Sequence, residues 1–142
     1  MGYKLIKELS STIDGDTVRA GYIIDRSPCG TELIKRTSIR IGFIDAPEQR
    51  YLSTRRFGEY SKYALEWFLK NMADEVLLYT DIKPKYAGRL IGDLQTKDGT
   101  LASQWMLDMG MAKPYAGGKR SWSAEELFRV SESYDKLVLT LS

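Results

Sequence analysis

The sequence predicts an α+β fold, mainly β, in which a small five-stranded barrel carries about three helices. The first third of the chain has the alternating apolar and polar residues of strands. A stretch with apolar residues at helical spacing follows, and then two more strand-like and two more helix-like stretches. With 142 residues, 43% hydrophobic and 28% charged, the chain has the length and composition of one domain, 1–142.

The first three strands are predicted at 3–13, 17–24 and 33–44. The first two are joined by the acidic turn Asp14-Gly15-Asp16, in which the glycine permits tight geometry, so that Asp16 opens the second strand. Residues 26–31 contain proline and two small turn residues and are predicted to form a loop before the third strand. We expect these strands to form an antiparallel meander.

The third strand is predicted to be a core strand. Its residues Ile39, Ile41 and Phe43 alternate with Arg40, so the three apolar side chains face one way and the arginine faces the other. The strand therefore combines an apolar face with a cation near its end.

Two carboxylates, Asp45 and Glu48, follow this strand on either side of Pro47. The proline fixes its own backbone and favours an extended Ala46, so the Ala46 carbonyl is held beside the carboxylates. Hard oxygens in this arrangement suit a divalent cation. Taken alone, the same residues more often form only a turn after a strand.

The rest of the chain supplies the helices and the last two strands. An amphipathic helix is predicted at 57–71, and strands are predicted at 75–81 and 89–94. Thr100 is predicted to cap a short helix that ends at Gly110 and buries Trp105 and Met109. Ser123 and Glu126 form a capping box that opens a last helix reaching residue 141. Five strands with a helix after the third is the order of an OB-fold barrel.

Composition excludes several kinds of site. The chain has no histidine, which excludes His-based triads and zinc sites, and its single cysteine, Cys29, excludes an internal disulfide. The net charge of +2 permits a polyanionic partner without requiring one. Neither a signal-like segment nor a run of about 18 apolar residues occurs, so we expect a cytoplasmic protein with no membrane partner.

The strand order predicts a metal site. Because antiparallel neighbours bring the start of one strand to the end of the next, Asp16 and Asp45 should meet on one rim of the barrel. Two carboxylates so near each other are unfavourable unless a cation lies between them. Ca²⁺ accepts carboxylate and carbonyl oxygens together. With the carbonyl of Ala46, these residues supply about three of the roughly six to eight ligands that Ca²⁺ takes. Water and substrate oxygens would supply the others.

Three further side chains suit phosphodiester hydrolysis. Arg40 and Arg89 can donate bidentate hydrogen bonds to phosphate oxygens and offset the charge of a five-coordinate transition state. Glu48 can orient or deprotonate an attacking water. Each piece has an ordinary reading as well, since a lone arginine on a strand is usually a surface charge.

The order and context of these pieces resemble the staphylococcal nuclease (thermonuclease) family over nearly the whole chain. The matching stretches are Ile13-Asp-Gly-Asp-Thr-Val18, Arg40-Ile-Gly-Phe-Ile-Asp-Ala-Pro-Glu48, Gly88-Arg-Leu90, and Asp98-Gly99 ahead of the Trp105 helix and Gly110-Met-Ala112. The resemblance implies an OB-fold barrel with three helices and a Ca²⁺-dependent nuclease that cleaves DNA and RNA with little sequence preference. It further implies attack by water and products that end in 3′-phosphate.

The resemblance also assigns residue roles. It implies that Asp16 and Asp45 are carboxylate ligands of Ca²⁺ and that Ala46 supplies a carbonyl ligand in place of a threonine. It also implies that the catalytic residues are Arg40, Glu48 and Arg89. The family's nucleotide-contacting lysine and tyrosine correspond to Lys85 and Tyr86, although one residue is inserted before Arg89 and could displace them. Tyr115 is a further candidate for stacking on a base, or else packs between the last two helices.

Two alternatives from other classes stay open. A catalytically inactive OB-fold module would bind nucleic acid without cutting it, and a protein-interaction domain would use the Tyr- and Trp-bearing surfaces. For partners, we expect DNA and/or RNA, no obligate protein partner and a monomer. The family's secreted members carry a signal segment that the sequence lacks, so we expect a cytoplasmic enzyme, with an origin in a virus or mobile element as one explanation.

Overall fold

The computed structural model describes residues 2–71, 76–82 and 89–141, and the side chains of residues 5–71 and 90–141. Within these ranges there are three helices and seven strands, two of which are only two residues long. The strands are β1 (Gly2–Asp14), β2 (Thr17–Arg26), β3 (Glu32–Ile41), β4 (Ile44–Asp45), β5 (Val76–Ile82), β6 (Arg89–Thr96) and β7 (Lys113–Pro114). The helices are α1 (Arg55–Asn71), α2 (Ala102–Asp108) and α3 (Ala124–Leu141).

Five strands form a closed barrel in the order β1-β2-β3-β6-β5. The first three make the predicted antiparallel meander, in which Asp14 pairs with Thr17 across the first turn and Thr17 pairs with Arg40 on β3. The mainly β α+β fold, with a five-stranded barrel and three helices, is therefore confirmed.

One pairing that closes the barrel is parallel. β3 and β6 run in the same direction, with Ser38 opposite Arg89 and Arg40 opposite Ile91. β5 then pairs antiparallel with both β6 and β1. The parallel pairing brings the start of β6 close to the end of β3, on the side of the barrel where Arg40 lies.

The helices cover a core that is continuous with the inside of the barrel. α1 buries Ala64, Leu65 and Phe68 completely, at the spacing that the sequence predicts for its apolar face. Phe68 stacks on Trp105 of α2, with ring centroids 4.9 Å apart. Strand residues such as Ile39 complete the same core cluster, so the helices and the barrel share one core.

The third strand ends earlier than the sequence predicts. β3 stops at Ile41, and Phe43 has a left-handed backbone (φ 66°) with 70% of its surface exposed. The prediction that Phe43 faces the core with Ile39 and Ile41 is wrong, because the chain turns at Gly42 and leaves the barrel. It continues as β4, which pairs with β7 instead.

The start of α2 also differs from the prediction, whereas that of α3 does not. Leu101, with an extended backbone, is the N-cap of α2, because Thr100 belongs to the turn after β6, where its carbonyl accepts from Thr96 N at 2.9 Å. The predicted burial of Met109 is wrong as well, since it lies at the exposed end of α2.

At α3, Ser123 N donates to Glu126 Oε1 at 2.9 Å and Glu126 N donates to Ser123 Oγ at 3.1 Å, so the capping box is confirmed.

Among the helices in the described ranges, none combines the length and apolar character needed to span a membrane.

Candidate active site

Two turns of the backbone place Asp16 and Asp45 on the same rim. Asp16 lies between β1 and β2, where its carbonyl accepts a hydrogen bond from Ile41 N at 2.7 Å. Asp45 ends β4, which is held in place by its pairing with β7. Asp16 Oδ2 accepts a hydrogen bond from Ala46 N at 3.0 Å. The side chains that the strand order predicts to meet therefore do so, and both aspartates are almost fully buried.

The guanidinium of Arg120 lies among the oxygens of this rim. Its Nε donates to Asp45 Oδ1 at 2.7 Å, and its Nη2 donates to Asp16 Oδ2 at 3.2 Å and to the Ala46 carbonyl at 3.4 Å. Its Nη1 lies 2.8 Å from Glu48 Oε1. One cation thus contacts all three predicted metal ligands and the predicted base. We call Asp16, Asp45, Ala46 and Glu48 the oxygen cluster.

Charge explains why Arg120 stays ionised there. Burial by itself lowers the pKa of Arg120, but the hydrogen bond from Arg120 to Asp45 and the charges of Asp16, Asp45 and Glu48 outweigh it. The pKa of Arg120 is therefore raised above its ordinary value, and the side chain is a permanent cation.

Arg40 approaches the oxygen cluster from β3. Its Nη1 lies 3.3 Å from Asp16 Oδ2 and donates to the Ile41 carbonyl at 2.8 Å. The residue is 9% exposed, and the pairing of Arg40 with Thr17 fixes its backbone next to the Asp16 turn. A planar cation held this firmly needs little further ordering to contact a phosphate.

Glu48 lies at the mouth of the cluster. Its Oε2 is 2.5 Å from Arg50 Nε, and its backbone carbonyl accepts from Thr54 Oγ1 at 2.5 Å. The Glu48 side chain is 19% exposed, compared with 1% for Asp45. It is therefore the carboxylate of the cluster that solvent reaches most easily.

Gln49 and Asp14 tie the two halves of the site together from behind. Gln49 Nε2 donates to Asp14 Oδ1 and to the Ile13 carbonyl, both at 2.7 Å. Burial raises the pKa of Asp14 above its ordinary value, against the lowering effect of this hydrogen bond. These contacts lock the segment after Asp45 onto the turn that carries Asp16.

A tryptophan also holds Asp45. Trp122 Nε1 donates to Asp45 Oδ2 at 3.0 Å, and Lys113 Nζ lies 4.5 Å from the centroid of the Trp122 ring. Lys113 also pairs with Glu126 at the start of α3, at 3.0 Å. The N-terminal end of α3 is in this way connected to the buried carboxylate.

Sequence reasoning missed Arg120 and Trp122. In this part of the chain it singled out Tyr115 as a candidate, and no local periodicity marks Arg120 or Trp122. The available signal was charge balance, because three carboxylates on one rim need more than Arg40, and Lys119-Arg120 is a nearby basic pair in a glycine-containing loop.

Three predicted residues are placed only in part or not at all. Lys85 and Tyr86 lie outside the described residues. Arg89 begins β6 with its backbone opposite Ser38, two residues before Arg40 on the neighbouring strand, and its side chain lies outside the description. The predicted roles of all three stay predictions.

Tyr115 lies beside Arg40 rather than between the last two helices. Its N donates to the Phe43 carbonyl at 2.9 Å, and the Arg40 guanidinium carbon is 5.9 Å from its ring centroid. Phe43, Ile91 and Tyr115 line a mainly apolar cleft of about 440 Å³, and Arg40 is part of the same lining. A second cleft, of about 530 Å³, opens onto Asp45, Glu48 and Arg120 and is mainly polar.

The oxygen cluster suits a hard divalent cation in charge and donor type. Its two buried carboxylates and one carbonyl already surround a positive group, and Ca²⁺ accepts these oxygens. In the described part of the chain, no group of three or more His, Cys, Asp and Glu side chains could hold a metal. A cation here would therefore need water and substrate oxygens to complete its coordination.

Comparison with known sequences assigns the family. The family model described as staphylococcal nuclease homologue matches residues 38–136, which is most of the chain. The chain belongs to this family. The match includes Arg40, Asp45, Glu48 and Arg120, whereas Asp16 precedes it. Among the curated proteins, no significant match was found.

Membership of the staphylococcal nuclease homologue family gives the rim its context. The family is nuclease-like, and in this chain the rim combines buried carboxylates, a buried arginine and an adjacent apolar cleft. Those are the groups needed to hold a phosphate between a cation and a base-sized apolar surface.

Proposed function

We propose that the protein is a Ca²⁺-dependent nuclease that hydrolyses phosphodiester bonds of DNA and/or RNA with little sequence specificity. The observation that carries the proposal is the convergence of Asp16, Asp45, the Ala46 carbonyl and Glu48 on a single cationic position beside buried Arg40. Membership of a nuclease-like family supports the same reaction class.

In this proposal, Asp16, Asp45 and the Ala46 carbonyl hold Ca²⁺. When bound, the ion supplies Lewis-acid polarisation of a phosphoryl oxygen. The buried position of both aspartates favours this role, because carboxylates removed from water bind a cation more strongly than exposed ones.

Arg40 binds the scissile phosphate and offsets its growing negative charge. Its contacts with Asp16 and the Ile41 carbonyl keep the guanidinium plane in place before substrate arrives. We assign the same kind of contact to Arg89 from its sequence motif and from the position of its backbone on β6, next to β3.

Glu48 orients the attacking water or accepts its proton. It is the most exposed carboxylate of the cluster and faces the polar cleft, so water and a phosphodiester can both reach it.

The nucleobase next to the cleaved bond is held in the apolar cleft. The rings of Phe43 and Tyr115 offer flat apolar surfaces, and Arg40, which also lines the cleft, can bind the adjoining phosphate. Aromatic faces accept any base, which agrees with little sequence specificity. We place Lys85 and Tyr86 among the nucleotide contacts on the strength of the sequence alone.

Cleavage of labelled DNA and RNA tests the proposal. The purified chain should cut single- and double-stranded substrates with Ca²⁺, lose this activity with chelator, and lose it when Glu48 is replaced by glutamine. Absence of cleavage with Ca²⁺, Mg²⁺ and Mn²⁺ alike would contradict the proposal that the protein is a nuclease.

One observation favours the alternative of a catalytically inactive nucleic-acid-binding OB-fold module. Arg120 already neutralises the oxygen cluster, as expected of a protein that binds no metal. Such a module would keep its affinity for nucleic acid in chelator, with a salt dependence set by its basic contacts. Binding that persists without cutting would establish this alternative.

A further inference from the structure

We propose that Arg120 is a tethered cation that competes with Ca²⁺ for Asp16, Asp45 and the Ala46 carbonyl, and that it must withdraw before the metal binds. The inference rests on the proposed function and concerns the cation requirement of the same site. It makes Arg120 the residue that sets the Ca²⁺ concentration at which the enzyme is loaded.

The contacts of Arg120 are those that a metal would need. Its nitrogens reach Asp45 Oδ1 at 2.5 and 2.7 Å, Asp16 Oδ2 at 3.2 Å and the Ala46 carbonyl at 3.4 Å. Ca²⁺ requires the same oxygens at about 2.3–2.6 Å. Because the guanidinium and the ion would share one set of oxygens in one place, binding of the metal is an exchange and not an addition.

Charge balance gives the exchange its direction. Asp16, Asp45 and Glu48 carry three negative charges, and the described side chains that pair with them, Arg40, Arg50 and Arg120, carry three positive ones. Arg120 is the cation that contacts all three carboxylates. A buried group of carboxylates is strongly unfavourable without a counter-charge, so Arg120 stabilises the fold until a divalent ion replaces it. The free energy of the Arg120 contacts is therefore subtracted from the intrinsic affinity of the site for Ca²⁺.

The segment that carries Arg120 can move away from the oxygen cluster. Gly117 and Gly118 both have positive φ, 104° and 90°, and a side chain added at either would contact nothing within 4 Å. Residues 116–121 are exposed, and the Arg120 side chain itself is 31% exposed towards the polar cleft. Two adjacent glycines in open space can change conformation at low cost.

Isothermal titration of Ca²⁺ into the wild-type protein, Arg120→Gln and Lys119→Gln tests the competition. Lys119→Gln is the matched control, because it removes the same charge from the neighbouring exposed position. We expect Arg120→Gln to bind Ca²⁺ about tenfold more tightly or better, a coupling of ordinary size, and Lys119→Gln to change the affinity less than threefold. Equal or weaker binding by Arg120→Gln would overturn the inference.

The results separate the inference from the proposed function. If the wild type cleaves DNA with Ca²⁺ and Arg120→Gln binds Ca²⁺ no more tightly, the nuclease stands and the competition is wrong. If no variant binds a divalent cation in titrations up to millimolar concentration, the calcium requirement and the competition both fail.

A second measurement uses the unmodified protein and does not depend on the folding of a variant. The Nε–H of Arg120 is hydrogen-bonded to buried Asp45 and should give a protected arginine side-chain resonance in a ¹H–¹⁵N spectrum. Addition of Ca²⁺ should shift this resonance and abolish its protection. Retention of the signal while Asp45 resonances report bound Ca²⁺ would show that ion and guanidinium bind together, contrary to the proposal.

Discussion

Arg40 Nη1 lies 3.3 Å from Asp16 Oδ2, and the two residues are 9% and 2% exposed. The side chain proposed to bind the phosphate is thus held by a side chain proposed to bind the metal. A change in either residue affects both functions and the stability of the fold, so the choice of substitution decides what an experiment measures.

Arg40→Lys should separate catalysis from stability. Lysine keeps a cation near Asp16 but loses the planar pair of donors, so we expect a folded protein with kcat lowered about 100- to 1000-fold. Arg40→Ala should in addition lower the free energy of unfolding by about 3 kcal/mol, because, among the described side chains, it leaves Arg120 as the cation paired with Asp16. Cleavage kinetics measure kcat, and urea unfolding measures the free energy of unfolding. A lysine variant with wild-type kcat would contradict the role of Arg40.

Glu48→Gln should lower kcat about 100- to 10,000-fold, because the amide cannot accept a proton from water. Glu125→Gln is the matched control, since Glu125 lies exposed on α3 and pairs with Arg129 there. It should cleave at the wild-type rate. Equal losses in both variants would mean that the effect is one of charge alone.

Gly15→Ala should disturb the site from behind. A Cβ at residue 15 would lie 2.5 Å from Ser61 Cβ and 2.9 Å from Ala46 Cβ, so the turn must move away from α1 or from Ala46. We expect the free energy of unfolding to fall by about 1–3 kcal/mol. Thermal unfolding measures this loss, and a variant as stable as the wild type would show that the turn adapts freely.

Phe43→Gly should stabilise the fold and weaken substrate binding. The left-handed backbone of Phe43 is unfavourable for a residue with a Cβ, so glycine should raise the free energy of unfolding by about 0.5–1 kcal/mol, whereas alanine should not. Both variants lose the ring at the apolar cleft and should bind single-stranded DNA about 5- to 100-fold more weakly. Fluorescence anisotropy without Ca²⁺ measures this, with Phe128→Ala, an exposed aromatic on α3, as the control.

The thiol of Cys29 should be reactive near neutral pH. Hydrogen bonds with the hydroxyl groups of Ser27 and Thr31, whose oxygens lie 3.0 and 3.5 Å from Sγ, lower the pKa of Cys29 to about 7. Because the thiolate is the reactive form, the rate of alkylation by iodoacetamide should rise with pH through a midpoint near 7. In Ser27→Ala the midpoint should move upwards; an unchanged midpoint would contradict the role of the hydroxyl.

The parts of the site that depend on strand order could be predicted from the sequence. The start of β2 and the end of β3 are antiparallel neighbours, as a period-2 pattern with a tight turn predicts, and this brings Asp16 close to the segment that leads to Asp45. Asp45 itself lies on β4, whose position depends on its pairing with β7. The capping box of α3 is equally local, since it joins Ser123 to a residue three positions later.

The parts that depend on tertiary contacts could not. Phe43 leaves the barrel because β4 pairs with β7, about 70 positions along the chain, and an alternating pattern through residue 44 gives no sign of this. Arg120 contacts Asp45, which is 75 positions earlier in the chain, from an irregular loop. The sequence of such a loop has no periodic pattern that predicts a contact. The parallel pairing of β3 with β6 is likewise a property of barrel closure.

The contact between Asp16 and Arg120 joins residues that are 104 positions apart. The oxygens of the cluster all lie between residues 16 and 48, whereas the arginine that contacts them comes from near the other end of the chain. During synthesis, which runs from the N-terminus, the carboxylates are therefore made well before their partner. Until Arg120 has been added and folded into place, Arg40, Arg50 or a divalent ion must balance their charge.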